Sequence, residues 1–202
     1  MNRRAMIKPR NLLASLFLPL ALAACNSAAP PVERPPLEGA AIGGPFTLMD
    51  KDGKPVSWSD FAGQYRIVYF GYAFCPDVCP LDVQVAMQGL KTFEKAQPEL
   101  GRKIQPIFIT IDPARDTPET VGEFAAAFHP RLIGLTGTPE QIEAAAKAFG
   151  AFYARGTDTP GGYLMDHSRV TYLMGPKGEP ISMLPVDKDG AAVSAELAKW
   201  VK

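Results

Sequence analysis

Two cysteines stand four positions apart in the stretch Gly71-Tyr72-Ala73-Phe74-Cys75-Pro76-Asp77-Val78-Cys79-Pro80, directly after an apolar run. Such a pair can serve as a redox-active dithiol, a metal clamp or a structural staple. The staple is the weakest reading: a disulfide stabilises more as the loop it closes grows, and this one closes only a few residues. A residue before proline is pushed out of the right-handed helical region, so a helix is expected to begin at Pro80 with Cys79 near its N-cap. Both sulfurs would then lie at a helix N-terminus, where unpaired N–H groups and the macrodipole favour anions and should lower the thiol pKa values. A thiolate is both the nucleophile of disulfide exchange and a soft metal ligand, so the spacing leaves both roles open.

A third ligand would separate them, and the chain offers two histidines. His129, in Ala-Phe-His-Pro at the expected end of a helix, is explained by a cation at a helix C-terminus. His167 lies in Gly161-Gly162-Tyr163-Leu164-Met165-Asp166-His167-Ser168, read as a loop feeding a strand, and is the better candidate ligand. Two thiolates and one imidazole form a soft, low-coordination set suited to copper, as Cu(I) or Cu(II), with zinc as the runner-up because it usually takes four ligands. Asp112 and Asp116 could line the site, although turn formation and pairing with Arg115 explain them as well. Asp166 could orient its neighbour His167. Met165, Met174 and Met183 are soft donors by type, but methionine at apolar positions usually fills core.

The elements that must carry these residues alternate along the chain. Phe46 to Met49 and Pro55 to Trp58 flank the turn-rich Asp50-Lys51-Asp52-Gly53 and predict a β-hairpin. Arg66 to Gly71 and Ile104 to Ile111 are continuous apolar runs, the pattern of strands buried on both faces. Between them Val83, Ala86, Met87, Leu90 and Phe93 recur at helical spacing, ending near Gln97-Pro98. Thr117-Pro118-Glu119 predicts a helix start, with Val121, Phe124, Ala125 and Phe128 inward, then a short strand at Leu132 to Leu135. Thr138 and Gln141 form a capping box for a helix ending at Gly150. A loop, a second hairpin around Gly175-Pro176-Lys177-Gly178 and a helix over Val193 to Val201 complete the chain. The class is α/β, a mixed central sheet with helices on both faces and an added N-terminal β-hairpin.

The chain opens with basic MNRRAMIKPR and an apolar run of 13 residues from Leu12 to Ala24, too short to span a bilayer and interrupted by Pro19. This reads as an export signal over residues 1–24, and Leu22-Ala23-Ala24-Cys25 resembles a bacterial lipoprotein box, which implies a lipid anchor on Cys25 as the mature N-terminus. Residues 25–40 are a Pro- and Ala-rich tether and residues 41–202 the functional domain. With Cys25 assigned to lipid, the odd cysteine of three is accounted for, and an oxidising compartment would tend to close Cys75 and Cys79 as a disulfide. Losing Arg3, Arg4, Lys8 and Arg10 leaves 17 basic residues against 21 acidic, which argues against nucleic acid as a partner.

Three motifs together are similar to those of the Sco family, also called SenC: Tyr69-Phe70-Gly71-Tyr72 leading into Phe74-Cys75-Pro76-Asp77-Val78-Cys79-Pro80, Ile111-Asp112-Pro113-Ala114-Arg115-Asp116-Thr117-Pro118-Glu119, and Asp166-His167-Ser168. Their order and separation match across roughly residues 41 to 200. The resemblance implies a thioredoxin-like fold, copper held by Cys75, Cys79 and His167, and a domain facing the periplasm or an equivalent extracytoplasmic space. It implies a metallochaperone that delivers copper to, or prepares the cysteines of, the dinuclear copper site in cytochrome c oxidase subunit II. A lipid anchor in place of the family's usual transmembrane helix is a departure that alters tethering rather than chemistry. The alternative is a thiol-disulfide oxidoreductase using the Cys75/Cys79 dithiol. His167, in a segment where ordinary thioredoxins place a proline, favours metal.

Overall fold

A computed structural model describes residues 33–202; the expected signal segment and Cys25 lie outside them. Arg34–Lys202 form one compact unit. The N-terminal hairpin pairs β1 (Thr47–Met49) antiparallel with β2 (Pro55–Ser57), followed by a 3-10 turn at Trp58–Phe61. Next come β3 (Tyr65–Gly71), α1 (Val78–Ala96), the single turn α2 (Pro98–Gly101) and β4 (Ile104–Thr110). Then α3 (Pro118–Phe128), β5 (Ile133–Leu135) and α4 (Pro139–Ala148) complete the parallel half. The chain ends with β6 (Tyr153–Thr159), β7 (Gly162–His167), β8 (Thr171–Met174), β9 (Pro180–Met183) and α5 (Gly190–Trp200).

The central sheet runs β5-β4-β3-β8-β9, with β3, β4 and β5 parallel and β8 and β9 antiparallel, so the expected mixed α/β sheet is present. All seven residues of β3 are buried, as its continuous apolar run demands of a strand covered on both faces. Alternation along β3 identifies those two faces. Ile67 and Tyr69 line one small internal space with Val83, Ala86 and Met87 of α1, whereas Phe70 packs against Phe149, the C-cap of α4. Phe149 also meets Phe46, Trp58 and Tyr172, which joins the hairpin to the second face. Helix α5 packs alongside α1 on the first face. The charged Arg66 is buried in this core: it donates to the Gly175 carbonyl at 2.7 Å and lies over the Trp58 ring.

Local capping follows the sequence at two helices. Thr117 Oγ1 accepts the Thr120 N–H at 3.2 Å, and the Thr138/Gln141 capping box is formed. Gly150, at φ +63°, ends α4 in the left-handed conformation that glycine adopts without a Cβ penalty. Among the described residues no helix is long and apolar enough to cross a membrane.

Three expectations need correction. Helix α1 begins at Val78 rather than Pro80, because Pro80 falls in the first turn, where its missing N–H would have had no intrahelical partner. The stretch read as a loop before β8 is an antiparallel hairpin of β6 and β7 with a bulge between Arg155 and Asp158. Most of its residues are half-buried or exposed, so it lacks the apolar alternation by which a strand is recognised. Helix α5 begins at Gly190, three residues before Val193, because Asp189 caps it by accepting the Ala192 N–H at 2.8 Å.

Candidate metal centre

Strand β3 ends at Gly71, and the turn that follows carries Cys75, whose N–H donates to the Tyr72 carbonyl at 3.2 Å. Gly71 is needed for space: a Cβ there would come within 2.7 Å of the Tyr69 ring and 3.2 Å of Cys79 Sγ. The turn is tied to the neighbouring β4–α3 connection by Asp116, which accepts the Ala73 N–H at 2.9 Å and the Thr110 hydroxyl at 2.6 Å. Burial pushes the Asp116 carboxyl above its ordinary value. Asp116 therefore shapes the cysteine turn from behind.

Cys79 occupies the second residue of α1, and its N–H donates to Cys75 Sγ at 3.4 Å. Asp77 makes no side-chain cap bond, so the Cys75 sulfur takes the place a capping oxygen usually fills. The pair titrates asymmetrically, against the expectation that both thiols are lowered. Cys75 is pushed down, first by the hydrogen bond from Cys79 and further by the N–H groups of Cys79 and Asp77. Cys79 is pushed up, first by that same bond and then by burial, since its thiol must stay protonated to donate to its neighbour. Both are free thiols here, and Cys79 is fully buried.

His167 closes β7 and brings Nε2 to 3.2 Å from Cys79 Sγ. Its Nδ1 bonds the Ser168 carbonyl at 3.0 Å; a carbonyl only accepts, so Nδ1 carries the proton and Nε2 presents a lone pair toward the sulfurs. The ligand atoms of Cys75, Cys79 and His167 all lie within 4.8 Å of one another. Tyr69 and Tyr72 meet the imidazole edge-on, with centroids at 6.2 Å and 6.0 Å. Tyr72 accepts the Met165 N–H at 3.3 Å, and its hydroxyl is pushed up to about 12, chiefly by burial.

The other sequence candidates fall outside this cluster. His129 is buried, accepts the Arg131 N–H on Nδ1 and bonds Glu94 through Nε2. Burial lowers its pKa, so it is a neutral core histidine rather than the expected helix-end cation. Asp112 pairs with Arg115 at 2.5 Å and accepts the Tyr163 hydroxyl at 2.8 Å. The imidazole is oriented by the Ser168 carbonyl, whereas Asp166 is exposed with its carboxylate beside Gly156. Met174 is core and Met183 lies on the surface, while Met165 is half-buried in β7; none joins the ligand group.

Two features escaped the sequence reading. Asp82 is buried on α1 and holds Arg169, two residues after His167, through bonds of 2.6 and 3.0 Å, while also accepting the Tyr69 hydroxyl at 3.1 Å. The legible signal was a carboxylate placed next to Val83 on the inward stripe of an amphipathic helix. The other is Tyr163, which two guanidinium groups cover, and nothing in its sequence context marks it.

An α/β domain holding two thiols and a lone-pair-bearing imidazole at a helix N-terminus defines a class of soft-metal or dithiol proteins. The family model described as SCO1/SenC matches residues 34–202, and the chain belongs to that family. It is 46% identical over 138 residues to Protein SenC of Rhodobacter capsulatus, covering 68% of this chain and 61% of that protein. The crystal structure of Arabidopsis thaliana ScoI with copper bound has 36% identity and a TM-score of 0.74, covering 79% of this chain and 97% of that one. BsSco, described as a member of the Sco family of cytochrome c oxidase assembly proteins in which a disulfide switch was identified, has 26% identity and a TM-score of 0.60, covering 85% and 99%. The chain spans between 42% and 61% of the length of such curated relatives. The fold is thioredoxin-like, as the resemblance implied.

Proposed function

We propose that this protein binds copper as cargo through the thiolates of Cys75 and Cys79 and the imidazole of His167, and delivers it to the dinuclear copper site of cytochrome c oxidase subunit II or prepares that site's cysteines. The observation that carries this reading is the 3.2 Å approach of His167 Nε2 to Cys79 Sγ with Nδ1 committed to the Ser168 carbonyl. The donor chemistry fits the ion: two soft sulfurs and one imidazole suit copper, and the described residues bring no fourth His, Cys or carboxylate donor into the group, as a closed zinc site would need. The copper carried by the Arabidopsis relative supports the same cargo. We further assign residues 1–24 to a lipoprotein signal, Cys25 to the lipid anchor and the residues between it and Arg34 to a tether that leaves the copper domain in the periplasm; the expected tether is shorter than 25–40 because Leu37 donates to the Ile181 carbonyl at 3.0 Å.

Titrating the reduced protein with copper tests this directly. The expected result is one ion per chain and sulfur-to-Cu(II) charge-transfer absorption that changes in His167→Ala. An affinity and spectrum unaffected by that substitution would rule out the three-ligand site. The lowered Cys75 thiol favours a second reading, a dithiol that reduces a target disulfide. Cys75 would attack one target sulfur and release the other as a thiolate. Cys79 would then resolve the mixed disulfide, leaving Cys75–Cys79 oxidised and the target reduced. Equal rates for the wild type and Cys75→Ser on an oxidised, copper-free subunit II would rule it out.

A further inference from the structure

His167 belongs to a strand that no backbone ladder joins to the main sheet: β6 and β7 pair only with each other. Beyond its covalent link to β8, which begins at Thr171, its distance from the thiols is set by side-chain contacts. Successive side chains along a strand alternate faces, so Tyr163, Met165 and His167 share one face of β7. The bulge that breaks the register lies in β6, which leaves β7 a regular rod between Tyr163 and His167.

Tyr163 is fastened at the far end of that rod. Its hydroxyl donates to Asp112 Oδ1 at 2.8 Å, and its carbonyl accepts from Arg115 Nη1 at 2.8 Å. The Arg115 guanidinium lies 3.7 Å from its ring centroid, and Arg115 Nε donates to Asp112 Oδ2 at 2.5 Å. Asp112 is 3% exposed, so Tyr163 and Arg115 bond a carboxylate that water barely reaches. Asp112 follows Ile111, whose N–H donates to the Gly71 carbonyl at the end of β3. The anchor of the latch and the start of the cysteine turn thus sit on one pair of strand ends.

The geometry points to Tyr163 as a positioning residue: with Asp112 and Arg115 it latches β7 to the domain, holds His167 on the thiol pair and sets the rate at which copper leaves. The copper part rests on the reading above; the latch itself does not. Arg155, which also covers the Tyr163 ring, belongs to the same hairpin and cannot fasten it to the domain.

The test compares wild type, Tyr163→Leu, His167→Ala and the double variant, with Tyr163→Phe, which keeps the ring and loses only the bond to Asp112, as the milder change. In the copper-loaded proteins, release to a chelator should be about tenfold faster in Tyr163→Leu and intermediate in Tyr163→Phe, whereas adding Tyr163→Leu to His167→Ala should change release by less than about twofold. In the metal-free, reduced proteins, the amides of residues 163–168 should exchange with solvent about tenfold faster in Tyr163→Leu, while those of β3 and β4 keep wild-type rates. If Tyr163→Leu does not fold, Tyr163→Phe carries both comparisons. Unchanged exchange over 163–168 would overturn the latch. So would full acceleration by Tyr163→Leu in the His167→Ala background, since the residue would then not act through His167. If the wild type holds no copper, the copper-binding reading fails, and the exchange comparison alone decides the latch.

Discussion

The pair of Asp82 and Arg169 supplies the sharpest energetic test. Asp82 is buried, with 2% of its side chain exposed, while 49% of the Arg169 side chain reaches solvent. The two partners therefore lose different things on truncation. Arg169→Ala leaves a carboxylate in the core with only the Tyr69 hydroxyl beside it, and breaking a buried pair in this sense should cost about 3 kcal/mol. Asp82→Ala lets the half-exposed guanidinium return to water but leaves the buried Tyr69 hydroxyl unpaired, for about 2 kcal/mol. The double variant loses only the Tyr69 bond and the packing, so it should cost no more than Asp82→Ala alone. The coupling between the two positions then comes to about 3 kcal/mol. Equilibrium urea unfolding of the reduced, metal-free protein, followed by circular dichroism with the four denaturant slopes compared, measures all corners of the cycle. Additive effects, with coupling below about 0.5 kcal/mol, would refute the claim that Asp82 depends on Arg169 for its charge partner.

Alkylation with iodoacetamide should modify Cys75 ahead of Cys79, with a Cys75 rate that stays level far below the ordinary thiol value of 9.0, because its thiolate is held by neighbouring donors; peptide mass spectrometry across pH 5 to 9 reads the order, and a Cys79-first pattern would contradict it. His129 is held below its ordinary value of 6.5, so the unfolded chain takes up the proton first. Its contribution to stability is full above pH 6.5 and is lost as the pH falls through that value, by up to about 1.4 kcal/mol per unit, and His129→Gln should flatten this slope in urea titrations at pH 5 and 7. Gly71→Ala should destabilise the protein by about 1 to 3 kcal/mol, because its methyl group collides with the Tyr69 ring, and should shift the copper charge-transfer band by displacing Cys79 Sγ; an unchanged melting temperature and spectrum would refute the crowding argument.

Much of the fold was legible because its signals are local. The buried runs of β3 and β4, the apolar stripe of α1 and the caps at Thr117 and Thr138 depend on residues within one or two turns of one another. The β6–β7 hairpin was not legible, since a half-exposed ribbon has no apolar face to announce it. The thiol asymmetry was not legible either. A helix N-terminus favours any anion, but which sulfur becomes the thiolate depends on burial and on the direction of one hydrogen bond.

By itself the sequence marked the candidate donors: two thiols flanking the start of a helix, one histidine free of a helix-end explanation, and the α/β order of elements around them. Only the tertiary structure decided that His167, 88 positions beyond Cys79, meets its sulfur, that the Ser168 carbonyl sets the imidazole tautomer, and that Asp82 and Tyr163 hold the connecting segment in place. The physical reason is range. Propensity and periodicity act over a few residues, whereas a ligand cluster assembled from a turn, a helix end and a detached hairpin is specified by side-chain contacts between segments that are distant in the chain.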